Sequence, residues 1–369
     1  MNWIKSFLKN WSLTLGVSVL LLLTVDFFAG EWLLYDLSGQ YKEQRYRIVD
    51  PIFHHTLAPN FDGFGEWGAE PYRVCTDSFG FKSSCDNSRQ IHRKADLVFI
   101  GDSFTEGIGL PYEDTFVGQI AKSKPELIIV NMGVASYSPT IYLAKVKKFL
   151  DEGFDFKELI VYVDISDAQD EAIDYRYVNG VVTDKEGETG IHGSVEIKTF
   201  FRSLFPLTYQ GLHEFKMRIL KPSSYPYSTV TSHPTHLDRN FQRSAWTYNS
   251  MSEGYGVMGV NAANDKSIEM MSQLYEILSQ KGIKLSVGVY PWPSQLLFDK
   301  RESRQVEIWK NFCENRCVHF YNSFPIFFEM SEKHGIDGAL DKFFMKNDVH
   351  HNANGSKLIA TDFLNGYKN

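Results

Sequence analysis

The stretch VFIGDSFTEGIGL, residues 98–110, decides how the rest of the chain is interpreted. An apolar run at 97–100 meets Gly101-Asp102-Ser103 and then a loop that contains glycine. Short apolar runs bounded by glycine are typical of buried strands, so Ser103 is predicted at the end of a strand. A serine in this place is either part of a turn or a nucleophile. A nucleophilic serine needs a base from elsewhere in the chain.

Short apolar runs alternate with helical patterns from residue 95 onward. The predicted strands lie at 97–100, 127–130, 159–163, 284–290 and 318–321, and the predicted helices at 113–122, 140–152, 265–281 and 356–364. This alternation is typical of a parallel sheet covered on both faces, with sites at the carboxyl ends of the strands. The sequence therefore predicts a three-layer α/β/α sandwich.

The chain divides into three predicted segments. Residues 1–35 are a tail and a transmembrane anchor, 36–94 an approach segment, and 95–369 the α/β domain. An insertion at about 171–262 separates the third and fourth strands, with a predicted hairpin (YVNGVVTDKEG) and a helical stretch at 195–220. So long a connection is usually functional or a small subdomain.

The predicted anchor is an uncharged run at 10–25, which Asp26 interrupts. A spanning helix needs about 20 mostly apolar residues. Lys5 and Lys9 precede the run, so the positive-inside rule places the tail in the cytoplasm. We expect a single-pass protein of the cell inner membrane with its body in the periplasm or outside the cell. A cleaved signal peptide and a buried soluble helix are the alternatives.

The composition narrows the classes of partner. Of 369 residues, 43% are hydrophobic and 22% charged, as in globular proteins rather than disordered chains. The net charge of -7 provides no basic footprint, so no nucleic-acid partner is expected.

The four cysteines fall into two local pairs, Cys75 with Cys85 and Cys313 with Cys317. Proximity favours these pairs among the possible connectivities, and disulfides suit an oxidising compartment. Neither pair has the two-residue spacing common in zinc sites. Free buried thiols and a metal site are the alternatives to disulfides. No metal site and no cofactor are predicted.

A second polar motif, KNDVHHNANGSKLIA at 346–360, precedes the last predicted helix. It places Asp348, His350 and His351 within four residues. A serine hydroxyl becomes a good nucleophile when a base takes its proton and a carboxylate orients that base. Ser103 and this motif can meet only through the fold.

Three motifs together resemble the SGNH/GDSL hydrolase superfamily. They are Gly101-Asp102-Ser103 after one strand, Gly133 after the next, and the run Asp-Val-His-x-Asn-x-x-Gly near the C-terminus. The resemblance covers about 95–168 and 265–365. The Asp-x-His spacing and the anchor are similar to membrane-tethered relatives that act on acetyl groups of bacterial surface polysaccharides. The resemblance implies a flavodoxin-like sheet and a serine esterase or O-acetyltransferase. It also implies an acetylated glycan substrate and partner proteins of a polysaccharide assembly system.

The resemblance also implies roles for individual residues. Ser103 is the nucleophile, His350 the base and Asp348 the orienting carboxylate. His351 stays open as an alternative base, because Asp348 and His351 have the spacing of the Asp-x-x-His pattern. The backbone N–H groups of Ser103 and Gly133 are the implied oxyanion donors.

Ser166 is the clearest departure from the family pattern. The family has an asparagine side chain as third oxyanion donor, whereas this chain reads Asp164-Ile165-Ser166-Asp167. A hydroxyl has a shorter reach, and loss of one such donor lowers the rate about 100- to 1000-fold. A non-catalytic glycan-binding or assembly protein with this fold is therefore an alternative. A lipase-type esterase with an apolar groove is another.

Other residues near strand ends have two interpretations each. Tyr137 and Trp292 are either packing residues or platforms on which a sugar ring stacks. The acidic patch at 164–171 is expected to be a solvated loop, with calcium or substrate binding as the alternative. The carboxylates of this patch belong to Asp164, Asp167, Asp170 and Glu171.

Overall fold

A computed structural model describes residues 14, 16–30, 46–67, 70–86, 93–185, 204–205, 207–208, 241–249, 252, 254–346 and 348–367. The chain forms two compact units. The first comprises Met1–Glu43 and Glu186–Val230, and the second comprises Gln44–Lys185 and Thr231–Asn369.

In the first unit, residues 16–30 form a helix. Asp26, which interrupts the apolar run, is buried on this helix, and its carboxylate accepts the backbone N–H groups of Leu207 at 2.8 Å and Thr208 at 2.7 Å. These donors satisfy a charge that burial would otherwise leave unpaired. Across the described residues, we find no helix whose length and apolar character would let it cross a membrane. The helical stretch predicted at 195–220 lies almost entirely outside the described residues.

The second unit is built on an eight-stranded sheet. Two separate hairpins accompany it. In chain order the strands are β1 (Arg47–Asp50), β2 (His54–Leu57), β3 (Asp62–Trp67), β4 (Glu70–Thr76), β5 (Lys82–Ser83), β6 (Lys94–Ile100), β7 (Ile129–Asn131), β8 (Asp155–Tyr162), β9 (Tyr175–Val178), β10 (Val181–Asp184), β11 (Lys284–Val289) and β12 (His319–Asn322). The hairpins are β1 with β2 and β9 with β10. The sheet order is β12-β11-β8-β6-β7-β5-β4-β3. The five strands from β12 to β7 are mutually parallel, so their carboxyl ends share one edge.

Helices cover both faces of this sheet. They are α1 (Ser103–Glu106), α2 (Phe116–Ser123), α3 (Pro139–Asp151), α4 (Asp167–Ile173), α5 (Phe241–Ser244), α6 (Gly259–Gln280), α7 (Pro293–Phe298), α8 (Arg304–Cys313), α9 (Phe324–His334), α10 (Ile336–Phe343) and α11 (Ala353–Gly366). Along β6, Leu97 and Phe99 enter one core cluster, while Val98 and Ile100 enter the other. This two-residue alternation buries both faces of the strand. The predicted α/β sandwich with its parallel sheet is thus confirmed.

The approach segment is part of this sheet. Strands β3, β4 and β5 extend it in antiparallel fashion, and β5 joins β7 at the pair Lys82–Asn131. The sequence predicted only a turn-rich connection here, because short strands with polar and glycine residues carry a weak periodic signal. The predicted hairpin in the insertion is present as β9 and β10. Its turn residues Asn179 and Gly180 have positive φ angles of 52° and 86°, as a two-residue hairpin turn requires.

Both predicted disulfides are present, Cys75–Cys85 and Cys313–Cys317. Cys75 lies on β4, opposite Asp62 of β3. The first disulfide therefore ties β4 to the chain beyond β5, within the antiparallel extension of the sheet.

The two disulfides should differ in their contribution to stability. They close loops with sequence separations of 10 and 4 residues. Because loop-closure entropy grows with loop length, replacing Cys75 and Cys85 together by alanine should lower the free energy of unfolding by about 3 kcal/mol, and the other pair by about 2 kcal/mol. Urea denaturation of the full chain measures both. An equal or reversed ranking would contradict this expectation.

Candidate active site

Ser103 stands at the first position of α1, and Gly101 and Asp102 connect it to the end of β6. Asp102 is the N-cap of this helix, and its Oδ1 accepts the Phe104 N–H at 3.0 Å. A Cβ atom on Gly101 would lie 2.1 Å from Thr105 Oγ1, so the turn from strand to helix requires glycine there. The tight turn holds the Ser103 hydroxyl at the carboxyl edge of the sheet.

The fold brings the predicted triad together. His350 Nε2 lies 2.8 Å from Ser103 Oγ, and His350 Nδ1 lies 2.6 Å from Asp348 Oδ1. The backbone N–H of His350 donates to the same Asp348 oxygen at 3.0 Å. Hydroxyl, imidazole and carboxylate thus form one hydrogen-bonded chain.

Asn352 and Gly355 hold the loop that carries His350. The Asn352 side chain caps α11 by accepting the N–H groups of Asn354 and Gly355, and it donates to the carbonyl of Phe344 at 3.0 Å. A Cβ atom on Gly355 would lie 2.1 Å from the carbonyl oxygen of Phe343. The Asn-x-x-Gly part of the motif therefore fixes the position of the loop.

The triad residues shift each other's pKa. Burial would lower the pKa of His350, but the hydrogen bond and the negative charge of Asp348 outweigh it and raise that pKa above its usual value. Burial would raise the pKa of Asp348, but its hydrogen bond with His350 and the charge of His350 hold it below its usual value. Asp348 is therefore ionised at neutral pH and strengthens His350 as a base.

His351 occupies a different environment. It is buried, and its ring lies within 5.1 Å of the Phe104 ring centroid and 4.8 Å of those of Phe327 and Phe344. Burial lowers its pKa to about 3. No hydrogen bond joins His351 to Ser103 within the described residues. His351 is a neutral packing residue, and the geometry favours His350 as the base.

The predicted oxyanion donors are placed unequally. The Gly133 N–H donates to Asn131 Oδ1 at 3.0 Å, and a Cβ atom on Gly133 would lie 2.8 Å from the Glu106 nitrogen. Glycine is thus needed here for packing against α1, and its N–H already donates to Asn131. Ser166 is buried, and its backbone N–H donates to Asp164 Oδ1 at 2.8 Å. The third predicted donor, the Ser103 N–H, lies at the start of α1.

Three carboxyl groups lie buried beside the nucleophile. Oxygens of Asp102, Asp164 and Asp167 lie within 4.8 Å of one another. Asp102 Oδ1 accepts the Tyr290 hydroxyl at 3.1 Å, and Asp102 Oδ2 lies 3.2 Å from Ser103 Oγ. The expectation of a solvated loop is therefore wrong for this part of the acidic patch, since these side chains pack beneath the site.

The chemistry of the Asp102, Asp164 and Asp167 cluster favours bound protons over a bound metal ion. Trp292 Nε1–H donates to Asp164 at 2.7 Å and the Tyr142 hydroxyl donates to Asp167 at 2.9 Å, so hydrogens already point at these oxygens. Asp167 Oδ1 is buried and has no partner among the described residues. Burial, with the charge of Asp164, raises the pKa of Asp102 to about 7. Burial and the neighbouring carboxylates also raise the pKa of Asp167.

The rest of the acidic patch is paired. Asp170 forms an ion pair with Arg243 of α5. Glu171 forms one with Lys266 of α6 at 2.8 Å, and it accepts the Ser138 hydroxyl at 2.6 Å. These carboxylates connect α4 to its neighbours.

Glu106 and Asn131 also position the nucleophile, and neither belongs to a sequence motif. Glu106 accepts two hydrogen bonds from Arg47 of β1, at 2.9 and 2.8 Å, and one from the Ala135 N–H at 2.7 Å. Burial would raise the pKa of Glu106, but the charges of Arg47 and Lys82 hold it below its usual value. Asn131 donates to the carbonyl of Thr105 at 2.7 Å. The position of a charged residue three positions after Ser103 is the sequence feature that could have indicated the role of Glu106.

Tyr137 and Trp292 belong to the core. Tyr137 is 0% exposed, and its hydroxyl donates to the carbonyl of His55 at 2.6 Å. Trp292 is 3% exposed, and its ring stacks on Phe104 at 5.9 Å between centroids. Neither ring presents a face to a sugar, so the structure contradicts the stacking prediction and supports the packing interpretation.

Among known proteins, several solved structures are similar to this chain. No protein-family model matches the chain. No curated protein matches it either. A lipolytic protein of the G-D-S-L family from Veillonella parvula is similar at 12% identity and a TM-score of 0.38, covering 73% of this chain and 96% of its own. An acetylxylan esterase from Geobacillus stearothermophilus is similar at 11% identity and 0.40, covering 74% and 95%. The psychrotrophic esterase EstA from Pseudoalteromonas sp. is similar at 10% identity and 0.36, covering 74% and 96%.

The first of these structures is named for the family that the sequence motifs resemble. Identities and TM-scores this low carry no functional inference. The functional inference therefore rests on the geometry around Ser103.

Replacing Asp102 by asparagine should make stability less dependent on pH. The pKa of Asp102 is about 7 in the folded protein, and that of an unfolded aspartate is about 4. Between these values the folded state binds more protons, so wild-type stability falls as pH rises. The free energy of unfolding of Asp102→Asn should therefore increase relative to that of wild type, by on the order of 1–4 kcal/mol between about pH 4 and about pH 8.

Urea denaturation of both proteins at several pH values measures this difference. Asp155→Asn is the matched control, because the Asp155 side chain is 66% exposed. If the difference between Asp102→Asn and wild type stayed constant with pH, the cluster would not hold a proton at Asp102.

Proposed function

We propose that the protein is a serine-dependent acyl-ester hydrolase or O-acyltransferase acting on acetyl esters of a cell-surface or periplasmic glycan. One observation carries the reaction class. It is the hydrogen-bonded chain from Asp348 through His350 to Ser103, with distances of 2.6 and 2.8 Å. Such a chain activates a hydroxyl for attack on an ester carbonyl.

The reaction follows from this chain. His350 Nε2 takes the Ser103 proton while Ser103 Oγ bonds to the ester carbonyl carbon. The Ser103 N–H stabilises the negative oxygen of the tetrahedral intermediate. His350 then gives the proton to the leaving oxygen, which leaves an acyl group on Ser103. Water or a glycan hydroxyl, deprotonated by His350, releases the acyl group. Water makes the protein an esterase, and a glycan hydroxyl makes it a transferase.

The charge of the site supports a neutral substrate. Asp348 of the triad is ionised, and the positive charge of Arg243 is paired with Asp170. Negative potential around a site lowers the local concentration of anionic substrates. An acetyl ester on a sugar is neutral at the reacting centre. The proposal that a glycan carries this ester is based on the resemblance of the sequence motifs.

Two features support a location outside the cytoplasm. Disulfides such as Cys75–Cys85 and Cys313–Cys317 persist in oxidising compartments. Large apolar side chains, among them Leu20 and Phe28, are exposed on the helix at 16–30. These side chains support attachment of the N-terminal segment to the inner membrane, which remains part of the proposal.

A specific observation favours a second candidate function. The Gly133 N–H is taken by Asn131, and Ser166 replaces the asparagine of the family pattern. With two of three expected oxyanion donors altered, a non-catalytic glycan-binding or assembly role is the alternative.

Covalent labelling should separate these two functions. The full-length chain, treated with an alkyl fluorophosphonate, should be modified at Ser103, because an activated serine attacks this probe. Ser103→Ala should abolish labelling, and His350→Ala should slow it at least about 100-fold, since a general base contributes this much. Mass spectrometry of the modified peptide identifies the site.

His351→Phe is the matched control, because His351 packs among aromatic rings and has no hydrogen bond to Ser103 in the described structure. It should label like wild type. A folded wild-type chain that does not label would overturn the catalytic proposal and favour the binding role.

Substrate charge and acyl length should both affect the rate. With p-nitrophenyl esters, acetate should react faster than octanoate, because we propose an acetyl group as substrate. Acetate should also react about 10-fold or more faster than the anionic succinate half-ester, because the ionised Asp348 carboxylate disfavours a second negative charge in the site. Preference for octanoate would instead indicate the lipase-type alternative. Release of acetate from acetylated xylo-oligosaccharides, with and without a glycan acceptor, distinguishes hydrolysis from transfer.

A further inference from the structure

Trp67 donates a hydrogen bond to the carboxylate of the triad. Its indole Nε1–H lies 2.5 Å from Asp348 Oδ2. The other oxygen, Oδ1, accepts the side chain and the backbone N–H of His350. Asp348 is thus held by three donors, and one of them comes from the edge strand β3, which precedes every motif of the triad.

The indole ring also contacts the base. Its centroid lies 5.3 Å from that of the His350 ring, and the two planes meet at 89°. This edge-to-face arrangement is favourable for aromatic pairs. The His350 ring also lies 4.6 Å from the ring of Phe104 in α1, between centroids. The imidazole therefore has aromatic contacts that restrict its rotation.

The chain holds Trp67 in this place. Strand β3 pairs with β4 along its length, from Asp62 opposite Cys75 to Trp67 opposite Glu70. Gly109, in the loop after α1, has a φ angle of 79°, and a Cβ atom there would lie 3.3 Å from Trp67 Cδ1. Glycine at this position leaves room for the indole beside the nucleophile loop.

We propose that Trp67 is a positioning residue of the triad, whose indole N–H fixes the Asp348 carboxylate in the orientation that aligns His350 with Ser103. This inference rests on the proposed function, because it assigns Trp67 a role within that triad. Trp67 lies outside the part of the chain that resembles the hydrolase superfamily.

The hydrogen bond also affects the charge that His350 experiences. Trp67 helps to hold the pKa of Asp348 below its usual value, by stabilising the ionised carboxylate. Without this donor, more of the negative charge of Asp348 acts on His350. The other titratable groups that face His350 are Asp102 and Asp164, whose ionised forms also favour protonated His350. The pKa of His350 should therefore rise when the indole N–H is removed.

Trp67→Phe in the full-length chain tests the role, because it removes the N–H and keeps an aromatic ring. The rate of Ser103 labelling by a fluorophosphonate is measured from about pH 5 to about pH 9, the range in which histidine titrates. The plateau rate should fall about 10-fold, the loss expected for a hydrogen bond to a charged group. The midpoint of the acid limb should move to higher pH.

Trp309→Phe is the matched control. Trp309 is buried in the core cluster on the opposite face of the sheet from Phe104. This variant should leave the midpoint unchanged, as would any change that acts through stability alone. An unchanged midpoint in Trp67→Phe, with a labelling rate within about twofold of wild type, would overturn the inference.

A second measurement needs no change at Trp67. Proton–nitrogen NMR resolves the indole N–H signals of the seven tryptophans, and the Trp67 signal is assigned from its proximity to the His350 ring. It should shift as His350 titrates, and Asp348→Asn should abolish that shift. A pH-independent Trp67 signal would contradict the link. If wild-type Ser103 does not label, the proposed function fails, whereas this measurement still decides whether Trp67 binds Asp348.

Discussion

The hydrogen bond of 2.8 Å between Ser103 and His350 joins residues 247 positions apart, and much of the fold serves to keep those two groups in register. Parallel pairing of β6 with β7 and β8 brings their carboxyl ends to one edge. The Asp102 cap sets the direction of α1, and the Asn352 cap sets the start of α11. A hydrogen bond weakens steeply with distance and angle, so small shifts in either helix would separate base from nucleophile.

Burial of charge is the second constraint on this site. Glu106 is satisfied by Arg47 and by a backbone N–H, and Asp164 by the Trp292 indole and a backbone N–H. Each donor offsets part of the free energy that burial of a carboxylate costs. The cluster around Asp102 has fewer donors than oxygens, and protons make up the difference. The region beneath the nucleophile is therefore buried, polar and sensitive to pH.

The parallel strands and the triad were predictable from the sequence because each rests on a local pattern. Buried strands appear as short apolar runs. The roles of Ser103, Asp348 and His350 were implied by motifs that resemble those of the SGNH/GDSL hydrolase superfamily. The location of the acidic patch was not predictable, since a carboxylate in a strand-end loop has the same sequence signature whether solvated or buried. Trp292 had the same ambiguity, because aromatic residues near strand ends serve packing and binding alike.

The site residues that were not predicted from the sequence acquire their roles through contacts that exist only in the folded chain. Trp67 reaches Asp348 across 281 positions of chain, from a strand with little periodic signal. The Gly133 prediction assumed that its N–H faces a substrate, whereas Asn131, two residues earlier, takes that donor. Pairings of this kind are decided by side-chain geometry, which a single sequence does not encode in any local pattern.

The separation of Ser103 from His350 has a consequence for the time before the fold is complete. A ribosome adds roughly 5–20 residues each second, and 247 positions separate the two residues. The serine thus exists for roughly 10–50 s of synthesis without its base. During that interval its hydroxyl is as unreactive as that of any other serine. The hydrogen bond between Ser103 and His350 therefore forms only after the C-terminal motif that carries His350 has been synthesised.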